Sequence, residues 1–361
     1  MRSATFLYVI LLITTTSANI RWLALHHHPS STDPTPVTMC AKTYGLTYKQ
    51  VRFCQSKFHW MRLIHTAATH AVDQCQLELG DRRWNCMSVL KAPSFGSDLK
   101  KDTREAAFVY ALGAISVALE VTNGCMAGKV AECACRHPKR HVSFSSEIID
   151  KSDMSNIDGL LGCKGILAFG QNFAKNFLGL GYRRKPRNSR QRREIAVNKH
   201  SVGLGLRLLD DGEEISCRCN GVTAGCAFQF CHRRIVPLKK AAAKLVAKYD
   251  SAVKISERAI VETIVSNAPT PNKLFLVRDE FRDKLVYLAE GPGHCGLEDR
   301  RVSRRQCVLD PTKTNHCGKL CCRGHQQRLV EVHSQCRCKF VYCCKVVCDT
   351  CKGFKTIYEC L

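Results

Sequence analysis

The sequence lacks several features that would place the protein in common classes. It contains no Asn-x-Ser/Thr sequon, so N-linked glycans are not expected. After the N-terminus no apolar run reaches the roughly 20 residues that span a bilayer. Acidic residues are few, 31 against 55 lysines and arginines. No Ser/His/Asp, Cys/His or paired-carboxylate constellation indicates an enzyme. We therefore expect a basic, non-enzymatic protein that is soluble or at most peripheral to a membrane.

The N-terminus has the pattern of a secretory signal. Residues 1–18 combine a charged start at Arg2, a short apolar run at residues 6–13 and the small residues Thr16, Ser17 and Ala18 before a predicted cleavage site. This pattern predicts export to the extracellular space or matrix. The 361 residues, 45% of them hydrophobic, allow two domains and a sizeable core.

Cysteine is abundant, with 24 residues, and half of them fall within residues 295–360. Export exposes them to oxidising conditions, which favours disulfides. The alternative is a zinc module, because Cys336, Cys338, Cys348 and Cys351 have ligand-like spacings. We favour disulfides, since the exported chain leaves the compartments that keep thiols reduced.

The net charge of +24 predicts a polyanionic partner. Basic residues cluster at 183–187, at 190–193 and at 300–305. An exported protein does not meet chromosomal DNA, so sulfated glycans at the cell surface, or anionic lipid headgroups, are expected instead of nucleic acid. The alternative is that each run is a solvated loop. Residues 190–193 also fit a dibasic processing site, although an uncleaved loop is the favoured interpretation.

Helical periodicity dominates the region before residue 256. Residues 19–36 show no pattern and are predicted to be a flexible leader, and residues 37–255 to be a helical N-terminal domain. Thr47 is a predicted cap for one long helix that ends near Cys75. A second helix begins after Thr103, and Asn123 and Gly124 are predicted to end it. Its small residues would let neighbouring helices approach closely.

Further segments complete the prediction. Residues 169–180 and 195–209 have helical spacing, and Pro237 suits the first position of another helix. Residues 256–292 are interpreted as a linker with one strand. Residues 293–361 form a small cysteine-rich domain that depends on its bridges. Its alternating runs at 336–348 predict the arms of a β-hairpin.

The most distinctive stretch is residues 217–231. Outer cysteines Cys217 and Cys231 and inner cysteines Cys219 and Cys226 bracket a tip of small residues. Nested bridges would make a rigid hairpin, each contributing about 2–4 kcal/mol. The tip offers one hydroxyl, that of Thr223, and no acid, base or metal-ligand set besides sulfur. It is therefore suited to presentation and not to catalysis.

This stretch resembles the hairpin of the Wnt family of secreted signalling ligands, which reads C-x-C-H-G-x-S-G-S-C. Thr223 occupies the position of the serine that carries a palmitoleoyl ester in the family. The neighbouring departures from the pattern are Asn220, Ala224 and Gly225.

The resemblance extends over nearly the whole mature chain. Residues 83–86 read Arg-Trp-Asn-Cys, and residues 103–111 are also similar to the family. Residues 198–205 resemble its N-x-H-N-N-E-x-G run, with Ser201, Val202 and Gly203 in place of the polar trio.

The resemblance implies an α+β, disulfide-rich, two-domain fold, with a helical N-terminal domain and a small cystine-rich β-hairpin domain. It also implies a pairing scheme, which leaves Cys40 with Cys54 by elimination. The implied pairs are Cys75 with Cys86, Cys125 with Cys133, Cys135 with Cys163, Cys217 with Cys231, Cys219 with Cys226, Cys295 with Cys322, Cys307 with Cys317, Cys321 with Cys360, Cys336 with Cys351, Cys338 with Cys348, and Cys343 with Cys344.

For function, the resemblance implies a ligand of the cysteine-rich domain of Frizzled-type receptors, together with a co-receptor and without a cofactor or metal. Two projections would grip the receptor. One is the hairpin with acylated Thr223, or a bare hairpin that uses Phe228 and Phe230. The other is a C-terminal finger formed by Phe340, Val341, Tyr342, Lys345 and Val346. The alternative function is an unlipidated antagonist or decoy that occupies the receptor without signalling.

Overall fold

The structure is a computed structural model that describes residues 18–28, 35–100, 102–133, 165–182, 188–220, 228–265, 272–293, 295, 302–342 and 344–361. The chain divides into two compact units. The first comprises residues 1–74 and 88–291, and the second comprises residues 75–87 and 292–361. The predicted signal, residues 1–18, lies outside the described residues except for Ala18.

The secondary structure mixes helices and strands. The α-helices are α1 (Pro36–Met39), α2 (Tyr48–Ser56), α3 (Phe58–Leu79), α4 (Ser97–Lys100), α5 (Arg104–Met126), α6 (Ile166–Gly179), α7 (Ser189–Arg207), α8 (Leu238–Asp250) and α9 (Cys317–Leu320). The strands are β1 (Glu213–Asn220), β2 (Phe228–Ile235), β3 (Val253–Lys254), β4 (Ile260–Val265), β5 (Asn272–Val277), β6 (Val286–Tyr287), β7 (Gln306–Cys307), β8 (His325–Val341) and β9 (Lys345–Cys360). Segments of 3-10 helix cover Ala18–His27, Lys42–Tyr44, Met87–Lys91, Ala131–Cys133, Glu257–Ala259 and Asp279–Phe281.

Helix α5 is the centre of the first unit. Thr103 caps it as predicted, because its hydroxyl accepts a hydrogen bond from the amide of Ala106 at 3.1 Å. Apolar residues surround the helix, and it packs against α6, α7 and α8. It continues through the predicted stop at Asn123 and Gly124 to Met126.

By length and average composition α5 could cross a membrane, although its unbroken apolar run is shorter than about 20 residues. Its many alanines make the helix apolar on average without forming one run of large hydrophobic residues. In the structure 94% of its most apolar window is buried, so α5 is a core helix.

Two glycines let helices lie very close to α5. A side chain on Gly170 of α6 would overlap the carbonyl oxygen of Ala118, and one on Gly205 of α7 would overlap that of Ala111. The predicted close approach of helices therefore occurs, and it depends on these glycines of the neighbouring helices.

The predicted long helix after Thr47 is two helices. Thr47 forms a capping box with Gln50, whose side chain accepts a hydrogen bond from the Thr47 amide at 3.1 Å. The chain then leaves helical geometry at Lys57, with φ −133° and ψ 48°, and resumes in α3. The apolar positions of α2 and α3 keep the same helical spacing across Lys57, so the sequence gives no sign of the one-residue break.

The prediction of a flexible leader at residues 19–36 was wrong for its described part. Ala18–His27 forms a 3-10 helix in which Trp22, Leu23 and Leu25 are almost completely buried. The Trp22 ring meets Phe177 edge to face, with centroids 5.9 Å apart. A 3-10 helix lacks the 3.6-residue periodicity used for prediction, but its large apolar side chains still gain by burial.

The prediction of a linker at residues 256–292 was also wrong. Strands β4 and β5 form an antiparallel pair, and β6 pairs with β3 in parallel. Ile255, Ile260 and Val286 join Ala196 and Val197 of α7 in one hydrophobic cluster. Strands β4 and β5 are short and carry charged residues, so their alternation predicts strands only weakly although part of the pair is buried.

Helix α7 begins earlier than predicted and includes the basic run 190–193, for which the sequence favours a loop. Asn188 caps the helix by accepting a hydrogen bond from the amide of Gln191 at 2.9 Å. Arg190 pairs with Glu194 at 3.1 Å, and Arg193 pairs with Glu257 at 3.0 Å. The cap and the ion pairs stabilise a helix at residues 190–193, and this helix differs from the extended backbone of a processing site.

The second unit is built on cysteines. A core cluster of its described residues consists of Val302, Leu320 and the half-cystines Cys307, Cys317, Cys321 and Cys360. Strands β7, β9 and β8 form its sheet, with β9 in the middle.

Residues 75–87 are attached to the second unit by two arginines. Arg83 donates to the carbonyls of Leu320 and Cys321, both at 3.3 Å. Arg305 donates to the carbonyl of Arg82 at 2.7 Å. The loop that we predicted to close the exit of a helix therefore belongs with the C-terminal residues.

The close approach of α7 to α5 can be tested by replacing Gly205 with alanine. We expect Gly205→Ala to lower the free energy of unfolding by about 1–3 kcal/mol, because the new methyl group meets the backbone of Ala111. Gly203→Ala is the matched control, since its methyl group would meet only the flexible end of Arg207 at 3.2 Å. It should raise stability by up to about 1 kcal/mol. Equal unfolding energies for the two variants in urea denaturation would contradict the packing described here.

Asp102, next to the cap of α5, should make stability depend on pH. Burial and the charge of Glu194 raise its pKa to about 7, although a hydrogen bond with Asn198 opposes them. Between about pH 4 and 7 the unfolded chain releases this proton and the folded chain keeps it, so stability falls as pH rises through that window.

Asp102→Asn should remove this part of the pH dependence, which is on the order of 4 kcal/mol between the ends of the window. The measurement is urea denaturation at several pH values, compared with wild type and with the exposed-site control Asp279→Asn. A slope that Asp102→Asn leaves unchanged would contradict the assignment.

Candidate functional site

The most prominent surface feature of the second unit is the finger, which we define as residues 336–351 at the outer end of β8 and β9. The strands pair antiparallel, with Phe340 opposite Val346 and Val341 opposite Lys345. Facing residues of an antiparallel ladder share one side of the sheet. Phe340 and Val346 therefore lie on one side, and Val341 lies on the other.

The finger exposes apolar side chains to an unusual degree. Tyr342 is 96% exposed, Phe340 72% and Val346 60%. Val341 and Val347 are about half exposed. Exposed apolar side chains gathered at the end of a ribbon, on both of its sides, are typical of an interaction site. Val347 was missed in the sequence prediction, although its position opposite Lys339 follows from the alternation of the strand.

Two disulfides fix the shape of the finger. Cys336–Cys351 and Cys338–Cys348 join its strands at a β-bulge, where the register shifts between Cys336 and Lys339. Arg337, between the two cysteines of β8, has a left-handed backbone with φ 48°. Bulges bend a strand and increase its twist, so the bridges hold a bent ribbon.

The prediction that Cys343 pairs with Cys344 is not met. Cys344 carries a free, exposed thiol, and Cys343 lies outside the described residues. The chain reverses over three residues between Val341 and Lys345, which are already paired in the ladder, and Cys344 adopts the left-handed geometry, φ 77°, common at the third position of such loops. Cys344 is therefore not part of an adjacent-residue bridge.

The second candidate element is the hairpin of β1 and β2 in the first unit. Cys217 pairs in register with Cys231, as the outer bridge requires, while Phe228 pairs with Asn220 and Phe230 with Arg218. The tip, residues 221–227, lies outside the described residues, and with it Thr223 and Cys226. The bridges Cys217 with Cys231, Cys219 with Cys226 and Cys135 with Cys163 involve residues outside the described set or side chains that the structure does not describe.

The base of the hairpin is anchored in the first unit. The amide of Val236 donates to the carbonyl of Gly212 at 2.7 Å, and Ile235 and Val236 are buried. Glu214 of β1 accepts a hydrogen bond from Lys240 of α8. This hydrogen bond and the charge of Lys240 lower the pKa of Glu214. The two strands thus start from a fixed position.

Eight of the disulfides implied by the resemblance are present in the structure. They are Cys40–Cys54, Cys75–Cys86, Cys125–Cys133, Cys295–Cys322, Cys307–Cys317, Cys321–Cys360, Cys336–Cys351 and Cys338–Cys348. The sulfur atoms of Cys307, Cys317 and Cys321 lie within 4.8 Å of one another, as in a metal site. All three are in disulfides, so they provide no thiolate for zinc.

The basic clusters are less available than the sequence indicated. Arg190 and Arg193 are in ion pairs, and Arg305 binds carbonyl groups of its own unit. The run 183–187 and residues Arg300 and Arg301 lie outside the described residues. Net charge alone therefore does not locate an anion site.

Comparison with known proteins identifies the family. The Wnt family model matches residues 42–361. Wnt-11b-1 of Xenopus tropicalis is 29% identical over 346 residues, which cover 94% of each chain. Wnt-1 of Caenorhabditis elegans is 26% identical over 383 residues, which cover 100% of each chain. A chain of the solved structure of human WLS in complex with WNT8A matches 85% of this chain and 96% of its own length, with a TM-score of 0.53 and 24% identity.

These matches confirm the predicted α+β, disulfide-rich, two-domain fold and the resemblance inferred from the motifs. Members of the matched family are secreted signalling ligands and not enzymes. Because the match covers nearly the whole sequence, the chain belongs to the Wnt family.

Proposed function

We propose that this Wnt-family chain is exported and binds the cysteine-rich domain of a Frizzled-type receptor, with a co-receptor, to start Wnt signalling. Two elements would make the contact. The finger supplies an apolar protein surface, and the hairpin supplies an acyl chain on Thr223. Sulfated glycans at the cell surface would retain the basic ligand outside the cell.

The observation that best supports this proposal is the exposed apolar finger. Exposing large hydrophobic side chains such as Phe340, Tyr342 and Val346 to water is unfavourable. A partner that covers them removes apolar surface from water, and this burial favours binding. Aromatic residues in a well-ordered loop are also the usual hot spots of protein interfaces. Two disulfides pre-order the finger, so little conformational entropy is lost on binding.

The hairpin supports the second contact. Strands β1 and β2 are held in an eight-residue ladder, and the seven residues between them include the hydroxyl of Thr223. An acyl ester on this hydroxyl would contribute about 0.8 kcal/mol for each methylene buried in a receptor groove. Phe228 and Phe230, which flank the tip on β2, would line the protein part of the same contact.

The Thr223 ester can be tested on protein secreted from animal cells. The hairpin peptide should carry the mass of one added acyl chain in wild type and none in Thr223→Ala. Thr223→Ser is the control, and it should be acylated at least as fully because a primary hydroxyl is less hindered. Peptide mass spectrometry provides the measurement. A wild-type peptide without added mass would contradict the acylation.

The same samples distinguish agonist from decoy. In receptor-bearing reporter cells an agonist raises the signal alone, and Thr223→Ala should lose most of that signal. Suppression of a lipidated ligand, without any signal alone, would instead establish the unlipidated antagonist.

The finger contact can be tested independently of the lipid. Tyr342→Ala should weaken binding to the purified receptor ectodomain by about tenfold or more, the loss typical of an aromatic hot spot. Phe354→Ala is the matched control, because Phe354 is 73% exposed on the same sheet but lies away from the finger tip. Surface plasmon resonance gives both Kd values. Equal effects of the two substitutions, or none, would contradict a receptor contact at the finger.

A further inference from the structure

A cleft lies between α6 and α7 of the first unit. Its volume is about 520 Å³, enough for one or two sugar rings. Lys175, Lys199 and Arg207 line it, and among the described lining residues Asp210 is the one acidic residue. Asp210 already accepts a hydrogen bond from Gln171 at 3.0 Å. The cleft therefore has an excess of positive charge.

The two lysines repel each other across this cleft. Burial lowers the pKa of Lys199, and the charge of Lys175 lowers it further. Among the described residues no carboxylate forms an ion pair with either lysine, and the ammonium of Lys199 lies 5.5 Å from the centre of the Tyr182 ring. An anion placed between the lysines would relieve this repulsion.

Arg207 adds a third cation whose position depends on a glycine. Its guanidinium donates to the carbonyl of Arg282 and lies 3.9 Å from Asp283, while its Nη1 is next to Gly203. Glycine inside a helix costs about 1 kcal/mol relative to alanine. A glutamate at this position, four residues before Arg207, would pair with the guanidinium. Because Gly203 has no side chain, the cleft stays open at this position and no side chain of residue 203 covers Nη1 of Arg207.

We infer that this cleft binds a sulfate ester of a cell-surface glycan. Lys175 and Lys199 suit a tetrahedral oxyanion, and Arg207, which also pairs with Asp283, lies beside them. The amides of Asn172 and Asn176 and the ring of Tyr182, which also line the cleft, provide hydrogen bonds and a flat surface for a sugar. This goes beyond the receptor contact proposed above, because it assigns the glycan a defined site.

The shape of the site favours a glycan over a membrane. Surfaces that bind lipid headgroups combine basic residues with apolar side chains that enter the bilayer. The apolar residues of this cleft, Leu178, Val202 and Leu206, are buried in its floor. They are not available for insertion.

The test uses the full-length secreted protein and a heparin-derived sulfated tetrasaccharide as the probe, with calorimetry as the measurement. Lys175→Gln with Lys199→Gln should raise the Kd by about tenfold or more, because two charged contacts are lost. Lys239→Gln with Lys244→Gln is the matched control, since it removes the same charge from exposed positions of α8. It should change the Kd by less than about twofold, as expected for remote, screened charges.

Gly203→Glu provides a second variant that does not weaken the helix. Because the glutamate would occupy the cleft and pair with Arg207, binding should fall as much as in the double lysine variant. Gly203→Gln, which adds similar volume without charge, should weaken binding less. Thermal melting checks the folding of each variant.

If the cleft and control double variants weaken tetrasaccharide binding equally, binding depends on diffuse charge and the inference is wrong. The inference is also wrong if neither double variant weakens binding. Loss of binding to phosphatidylserine vesicles, with tetrasaccharide binding intact, would make the cleft a headgroup site and also overturn it. Binding to the receptor ectodomain should stay at the wild-type level in the cleft variants. Failure of this inference is therefore distinguishable from failure of the receptor proposal.

Discussion

Covalent cross-linking is the constraint on which the second unit depends. Among the described residues, the core cluster of its C-terminal part contains two aliphatic side chains, Val302 and Leu320, and its other buried members are half-cystines. Strands β8 and β9 are exposed along most of their length, and an isolated two-stranded ribbon is marginally stable in water. Disulfides restrict the unfolded chain and so stabilise the ribbon without burying its side chains. The finger can therefore keep apolar residues such as Tyr342 exposed for a partner.

The first unit is stabilised in the opposite way, by burial around α5. Helix α7 illustrates how one element serves both the core and the surface. Gly205 faces α5 and allows close packing, whereas Gly203, two residues earlier, borders the cleft beside Arg207. Residues two apart on a helix point in directions that differ by about 200°. Glycine thus allows close helix packing at Gly205 and leaves space in the cleft at Gly203.

The parts of the structure that sequence could predict are those with strong local signals. Thr47 and Thr103 cap helices because their hydroxyls satisfy free backbone amides, and this chemistry is visible in the sequence. The disulfides followed from the resemblance to a family, since spacing alone does not select a pairing. The 3-10 helix around Trp22 and the β4–β5 pair were not predicted, because their burial depends on residues distant in sequence. The break at Lys57 interrupts a helical stripe without changing its composition.

Charge shows most clearly why composition does not define a site. The basic run 190–193 is the more obvious candidate in the sequence, yet Arg190 and Arg193 pair with glutamates and support the start of α7. Lys175 and Lys199 lie 24 positions apart in the sequence, and only the packing of α6 against α7 brings them to one cleft. Positive charge is available to a ligand where the fold leaves it without a carboxylate partner. By that criterion the α6–α7 cleft, and not the densest basic run, is the better anion site among the described residues.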